Sequence, residues 1–201
     1  MSKMNIPNRL TVLRIIMIPF VMAFILLPLE GQVWHYFVAA LLFLIATITD
    51  FIDGSLARKH NIVTNFGKFL DPLADKFLVF GTFLAMLGSD IPKFNDMKFT
   101  IAISLAIMVF RELAVTSVRL VAKNSDGTVI AAAMLGKIKT FSQSVCIIYM
   151  LVSDVVFPTT LGAVFEYHII DYVLLIFTVI MTIISGLQYM QKYFKYIDPT
   201  E

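Results

Sequence analysis

The chain has 201 residues, 59% of them hydrophobic and only 15% charged, with a formal net charge of +2. A soluble domain averages roughly 45–50% apolar and about 25% charged residues, so this composition excludes an ordinary soluble domain and points to a polytopic membrane protein. At about 20 residues per span the length accommodates six helices with short connections and no separate soluble domain, and a single cysteine, Cys146, excludes an intrachain disulfide.

Apolar segments near 10–29, 33–52, 69–89, 98–122, 134–157 and 169–190 predict six transmembrane helices in one all-α domain spanning 1–201, since a segment in lipid must satisfy its own backbone hydrogen bonds. The first segment follows the basic stretch MSKMNIPNRL and contains Pro19. The sequence after it, LLPLEGQ, is not a small-residue cleavage site, so it reads as a retained span rather than a signal peptide. Asn8 or Thr11 is placed to cap this helix. Arg14, one turn further in, either reaches a lipid phosphate or snorkels.

Basic residues set the orientation. Lys3 and Arg9 precede span one; Arg58, Lys59 and Lys68 lie between spans two and three; Lys123, Lys137 and Lys139 between four and five; Lys192 and Lys195 after six. The other side has only Lys93 and Lys98. Both termini are therefore expected in the cytoplasm, together with the ends of spans two and three. Trp34, Tyr36, Tyr167 and Tyr172, and on the other side Tyr189, Tyr193 and Tyr196, read as aromatic belts at the two interfaces.

Spans two and three meet in DFIDGSLARKHNIVTNFGKFLDPLAD, which contains Asp50, Asp53, Asp71 and Asp75. A carboxylate near hydrocarbon is costly unless paired, solvated or metal-bound. Asp50 and Asp53 are three residues apart and Asp71 and Asp75 four apart, so each pair shares a helix face. A short loop makes the two spans antiparallel neighbours, and their acidic faces can converge. Oxygen-only ligation suits Mg²⁺, Mn²⁺ or Ca²⁺ and not zinc. Pro72 either opens a helix that Asp71 caps or kinks one begun near Phe66. Gly54, Ala57 and Gly67 allow close approach of a ligand or another backbone. Arg58 offers a guanidinium suited to phosphate. Together these residues describe a site for a pyrophosphate or phosphodiester.

Span four carries Arg111, Glu112 and Arg119, and span five opens with Gly136, Lys137, Ile138, Lys139 and Thr140. An intramembrane arginine is a functional-site hypothesis by default. Arg111 either pairs with Glu112 or an aspartate to hold the bundle, or joins Arg119, Lys137 and Lys139 in a basic pocket facing the acids. Such a pocket suits an acceptor bearing its own phosphate.

The order D-x-x-D-G-x-x-A-R-x(8)-G-x-x-x-D-x-x-x-D, matched by Asp50, Asp53, Gly54, Ala57, Arg58, Gly67, Asp71 and Asp75, resembles the signature of the CDP-alcohol phosphotransferases. The resemblance implies transfer of a phosphatidyl group from a CDP-linked lipid, CDP-diacylglycerol, to an alcohol, with release of CMP. It implies two divalent cations, Mg²⁺ or Mn²⁺, on Asp50, Asp53, Asp71 and Asp75, with Asp71 and Asp75 catalytic and Asp75 the general base. It assigns Asp53, Gly54, Ala57, Arg58 and Gly67 to the CDP moiety. F-R-E and G-K-x-K-T are similar to the branch whose acceptor is glycerol 3-phosphate, and assign Arg111, Arg119, Lys137 and Lys139 to the acceptor's phosphate; an inositol phosphate acceptor is the nearest competitor. N-R-L-T-V-L-R resembles a further element, with Asn8, Thr11 and Arg14 placed toward a lipid phosphate. A homodimer in the plasma membrane is implied, with no nucleic-acid partner. The rival class is a cation-coupled transporter, but such sites lie near the midplane of repeated halves; here the acids gather at one boundary and no repeat is visible.

Overall fold

The computed structural model describes residues 5–27, 34–59, 64–126, 134–156 and 168–193. Six α-helices occupy them: α1 Ile6–Leu26, α2 Trp34–Lys59, α3 Asn65–Gly88, α4 Pro92–Asp126, α5 Met134–Val156 and α6 Ile169–Tyr193. Both termini, Tyr167 and Tyr196 lie outside the described residues.

Local chemistry sets the helix ends. Asn5, in extended backbone, is the N-cap of α1, and Pro7 falls in the first turn, where its missing N–H leaves no bond unmade. Asn8 and Thr11 are therefore inside the helix and do not cap it. α1 stops at Leu27, also extended, because the following Pro28 disfavours α geometry there. Thr64 caps α3 by accepting the Gly67 N–H at 3.0 Å. Pro72 thus lies inside a helix already begun at Asn65, the second of the two geometries open to it.

Six spans are not what the helices support. Among the described residues three helices are long and apolar enough to cross a membrane: Asn8–Leu26 within α1, Pro92–Leu120 within α4, and Ile169–Tyr193, which is α6. The chain is a multi-pass membrane protein. α2 offers only the shorter apolar stretch Trp34–Asp50, because Asp50, Asp53, Arg58 and Lys59 interrupt the rest of that helix. α3 carries Lys68, Asp71, Asp75 and Lys76 in its first half, and α5 carries Lys137 and Lys139 near its start. The charges that build the site are what shorten the apolar runs of these three helices.

Contacts fix the packing. α1 lies between α2 and α3, touching each far more extensively than they touch one another. The expected α2–α3 pairing is thus mediated by α1. α4, α5 and α6 form a second group through α4–α6 and α5–α6 contacts, joined to the first through α2–α5 and α3–α4. Contacts from the start of α1 to the C-terminal half of α2 and the first half of α3, and from the start of α4 to the end of α5 and the start of α6, fit odd- and even-numbered helices running oppositely. One core runs through both groups, with Val21, Ile25, Phe43, Phe83, Met97, Ile101, Ile147 and Leu175 buried. Burial of each such side chain contributes about 1.5–3 kcal/mol. Phe69, Phe99, Phe110 and Phe141 point outward and are highly exposed, an apolar exterior suited to lipid.

Candidate active site

The starts of α1, α3 and α5 meet the ends of α2, α4 and α6 at one end of the bundle. There α1 grips the acids. The Arg14 guanidinium is buried, with Nη1 2.5 Å from Asp50 Oδ1, and Nε donates to the Ala46 carbonyl at 3.3 Å. Thr11 Oγ1 donates to Asp71 Oδ1 at 2.6 Å. Asn8 Oδ1 accepts from the Thr64 hydroxyl at 2.9 Å. Arg14 therefore faces inward onto a carboxylate, and does not snorkel. A Cβ on Gly67 would come within 2.9 Å of Asn8 Oδ1, so the space before that glycine is taken by α1. Close helix approach is its visible role.

Asp53, Gly54, Ala57 and Arg58 lie on the last turns of α2, and their side chains are outside the described residues. Among the described residues no three acidic, histidine or cysteine side chains converge on one metal position. The donor chemistry nonetheless fits a hard cation. Asp50, Asp71 and Asp75 offer oxygen donors only, the ligand type that Mg²⁺ or Mn²⁺ takes; burial first, and then the charge of Asp50, push Asp75 above the ordinary carboxylate range.

Asp75 also opens onto a cavity of about 260 Å³. The lining includes Lys76 from α3, Arg111, Glu112 and Arg119 from α4, Lys137, Lys139 and Gln143 from α5, and Tyr189 from α6. The four basic residues singled out from the sequence thus share one space with Asp75. Arg111 Nη1 donates to Glu112 Oε1 at 2.6 Å and Nη2 to Ser185 Oγ at 3.0 Å. A Cβ on Gly186 would approach Arg111 Cγ to 2.9 Å, so glycine there lets the arginine stem lie against α6. Lys139 Nζ donates to the same Glu112 oxygen. Lys76 Nζ is 3.7 Å from Glu112 Oε2 and donates to Thr116 Oγ1 at 3.1 Å. Burial holds the Lys139 ammonium below the ordinary lysine value, with Glu112 pulling the other way.

Sequence reasoning did not assign three polar members of this cavity to it. Lys76 follows Asp75 directly and was overshadowed by it. Gln143 is uncharged in an apolar run, yet its buried Nε2 has no acceptor among the described residues. Tyr189, expected at an interface, is 5% exposed. It stacks on Tyr193 with centroids 6.0 Å apart and carries the Arg119 guanidinium 4.6 Å above its ring. A tyrosine four residues from another, facing arginines one helix away, was the available signal.

Residues 4–186 match the CDP-alcohol phosphatidyltransferase family. The chain belongs to that family. It is 37% identical over 197 residues to the CDP-diacylglycerol–glycerol-3-phosphate 3-phosphatidyltransferase of Bacillus subtilis (strain 168), covering 94% of each chain. It is 36% identical over 148 residues to the protein of the same name from Escherichia coli (strain K12), covering 73% of this chain and 76% of that one. Divalent-cation chemistry is a property of the family.

Proposed function

We propose that the protein transfers the phosphatidyl group of CDP-diacylglycerol to sn-glycerol 3-phosphate, giving phosphatidylglycerophosphate and CMP. Family membership and the two relatives support this reading. The observation that carries it within this chain is the cavity joining Asp75 to Arg111, Arg119, Lys137 and Lys139. An acceptor phosphate held by those cations would place its carbon chain and hydroxyl toward Asp75. Asp75 takes the hydroxyl proton as the hydroxyl oxygen bonds to the lipid-linked phosphorus, and the bond from that phosphorus to CMP breaks.

The Asp53–Arg58 stretch, with Gly54 and Ala57, would hold the CDP moiety, and Gly67 would keep α1 close enough to frame it. Bound through Asp50, Asp53, Asp71 and Asp75, two divalent cations, Mg²⁺ or Mn²⁺, would neutralise the pyrophosphate and the charge on departing CMP. Thr11 and Arg14 position Asp71 and Asp50 for that task. The lipid-phosphate role for Asn8, Thr11 and Arg14 is retained only in the sense that they border this acid cluster. The distribution of basic residues supports a site at the cytoplasmic face of the plasma membrane, and a homodimer is part of the same proposal.

The test is CMP release by purified protein with Mg²⁺ and CDP-diacylglycerol across an acceptor panel. Release with glycerol 3-phosphate supports the reading. Release only with inositol phosphate, serine or phosphatidylglycerol sinks the acceptor assignment and keeps the chemistry.

A further inference from the structure

Two acids line the cavity among the described residues, Asp75 and Glu112. The proposed reaction uses the first and gives the second no part. Yet Glu112 is the most heavily engaged group there: Lys139 and Arg111 Nη1 both donate to Oε1, and Lys76 stands 3.7 Å from Oε2. All four side chains are largely withdrawn from solvent, Lys76 least so. Arg119 and Lys137, the other two cations, sit exposed at the rim, Arg119 against Tyr189. The cavity therefore has an inner set of cations gathered on a carboxylate and an outer set that is not.

A carboxylate and a phosphate ask for the same partners: forked N–H donors and ammonium groups around paired oxygens. We propose that Glu112 is a positioning residue that stands in for the acceptor's phosphate. It holds Arg111, Lys139 and Lys76 in place while the cavity lacks an acceptor, and competes with the arriving phosphate for them. In this way Glu112 sets the KM for the acceptor. The buried donor Gln143 Nε2, on the same lining, is a further group a phosphate oxygen could engage beside Glu112. The inference rests on the reading of this cavity as the acceptor site.

Steady-state CMP release, with glycerol 3-phosphate varied at saturating CDP-diacylglycerol, tests it. Glu112→Gln keeps the shape and an acceptor oxygen but removes the charge. KM should fall on the order of tenfold, the scale of one partly buried carboxylate a few ångström from an anion, with kcat no higher than wild type. Inorganic phosphate, as a competitive inhibitor, should gain potency by a similar factor. Glu112→Asp, with its carboxylate drawn back by one methylene, should lower KM by a smaller factor. A purely structural role predicts the opposite sign, because a disordered pocket raises KM. An unchanged or raised KM in Glu112→Gln, with thermal unfolding intact, overturns the inference. If Glu112→Gln fails to fold, an unchanged or raised KM in Glu112→Asp overturns it instead. A wild type active only on acceptors without a phosphate removes the acceptor reading and this inference with it. A wild type that uses glycerol 3-phosphate while the KM shift is missing removes the inference alone.

Discussion

Two clusters of buried charge stand at opposite ends of the bundle. At the start of α4, Lys93 is 3% exposed; it donates to the Met150 carbonyl at 2.8 Å and to Ser153 Oγ, and lies 3.1 Å from Asp171 Oδ1. Among the described residues one lysine meets one aspartate, whose other oxygen has His168 Nδ1 at 3.7 Å, and the ammonium also donates to oxygens on α5. At the other end three cations crowd one carboxylate beside a cavity. The first arrangement is closed, and ties α4, α5 and α6 together. The second has positive charge in excess of what its glutamate can neutralise and space in which more anion fits. Burial alone does not separate a staple from a site; stoichiometry and an adjoining cavity do.

The comparison breaks or sharpens through measurement, beginning with the largest expected effect. Asp75→Asn should lower kcat by about 10³-fold or more, given that a positioned base alone contributes roughly 10²–10⁴, while thermal unfolding of the detergent-solubilised protein barely moves. EDTA should abolish CMP release reversibly, with Mg²⁺ or Mn²⁺ restoring it. At the closed end the pattern should invert. Lys93→Met leaves Asp171 buried without its lysine and should destabilise by about 3–5 kcal/mol, seen as a lowered Tm, with KM for both substrates unchanged in the folded fraction. A normal Tm would mean that the pair is not the staple described. Lys137→Gln, at the exposed rim of the cavity, should raise the acceptor KM about tenfold with no change in Tm. Smallest is Thr64→Ala, which deletes the α3 cap and its bond to Asn8 and should cost about 1 kcal/mol by denaturant titration.

The sequence carried unequal amounts of this. The aspartate spacing was legible because two short intervals on helices dictate shared faces, whatever the tertiary packing. Arg111, Arg119, Lys137 and Lys139 were legible as a group because charge in apolar helices needs a reason. Partner choice was not. Arg14 and Lys93 looked like boundary charges, and both are buried in ion pairs. Tyr189 and Tyr193 looked like an interface belt, but both are buried and stacked on each other, with Arg111 and Arg119 over the Tyr189 ring. Hydropathy reports that a helix is apolar on average. It does not report which neighbour its few polar groups face, and that neighbour lies far away in sequence. The same averaging led to six spans. Counting apolar segments overlooks that α2, α3 and α5 give up part of their length to the charges of the site.

The place of α1 between the two acid-bearing helices has a consequence for how the chain is assembled. A ribosome delivers α1 before α2 and α3, with a guanidinium destined for burial and a hydroxyl destined for a carboxylate. Asp50 arrives some 36 residues later and Asp71 some 60 residues later. Arg14 meets its carboxylate once α2 has emerged, Thr11 only once the start of α3 has, and each acid finds its partner on α1 already made. The first three helices are thus the smallest length of chain in which this half of the site is electrostatically complete.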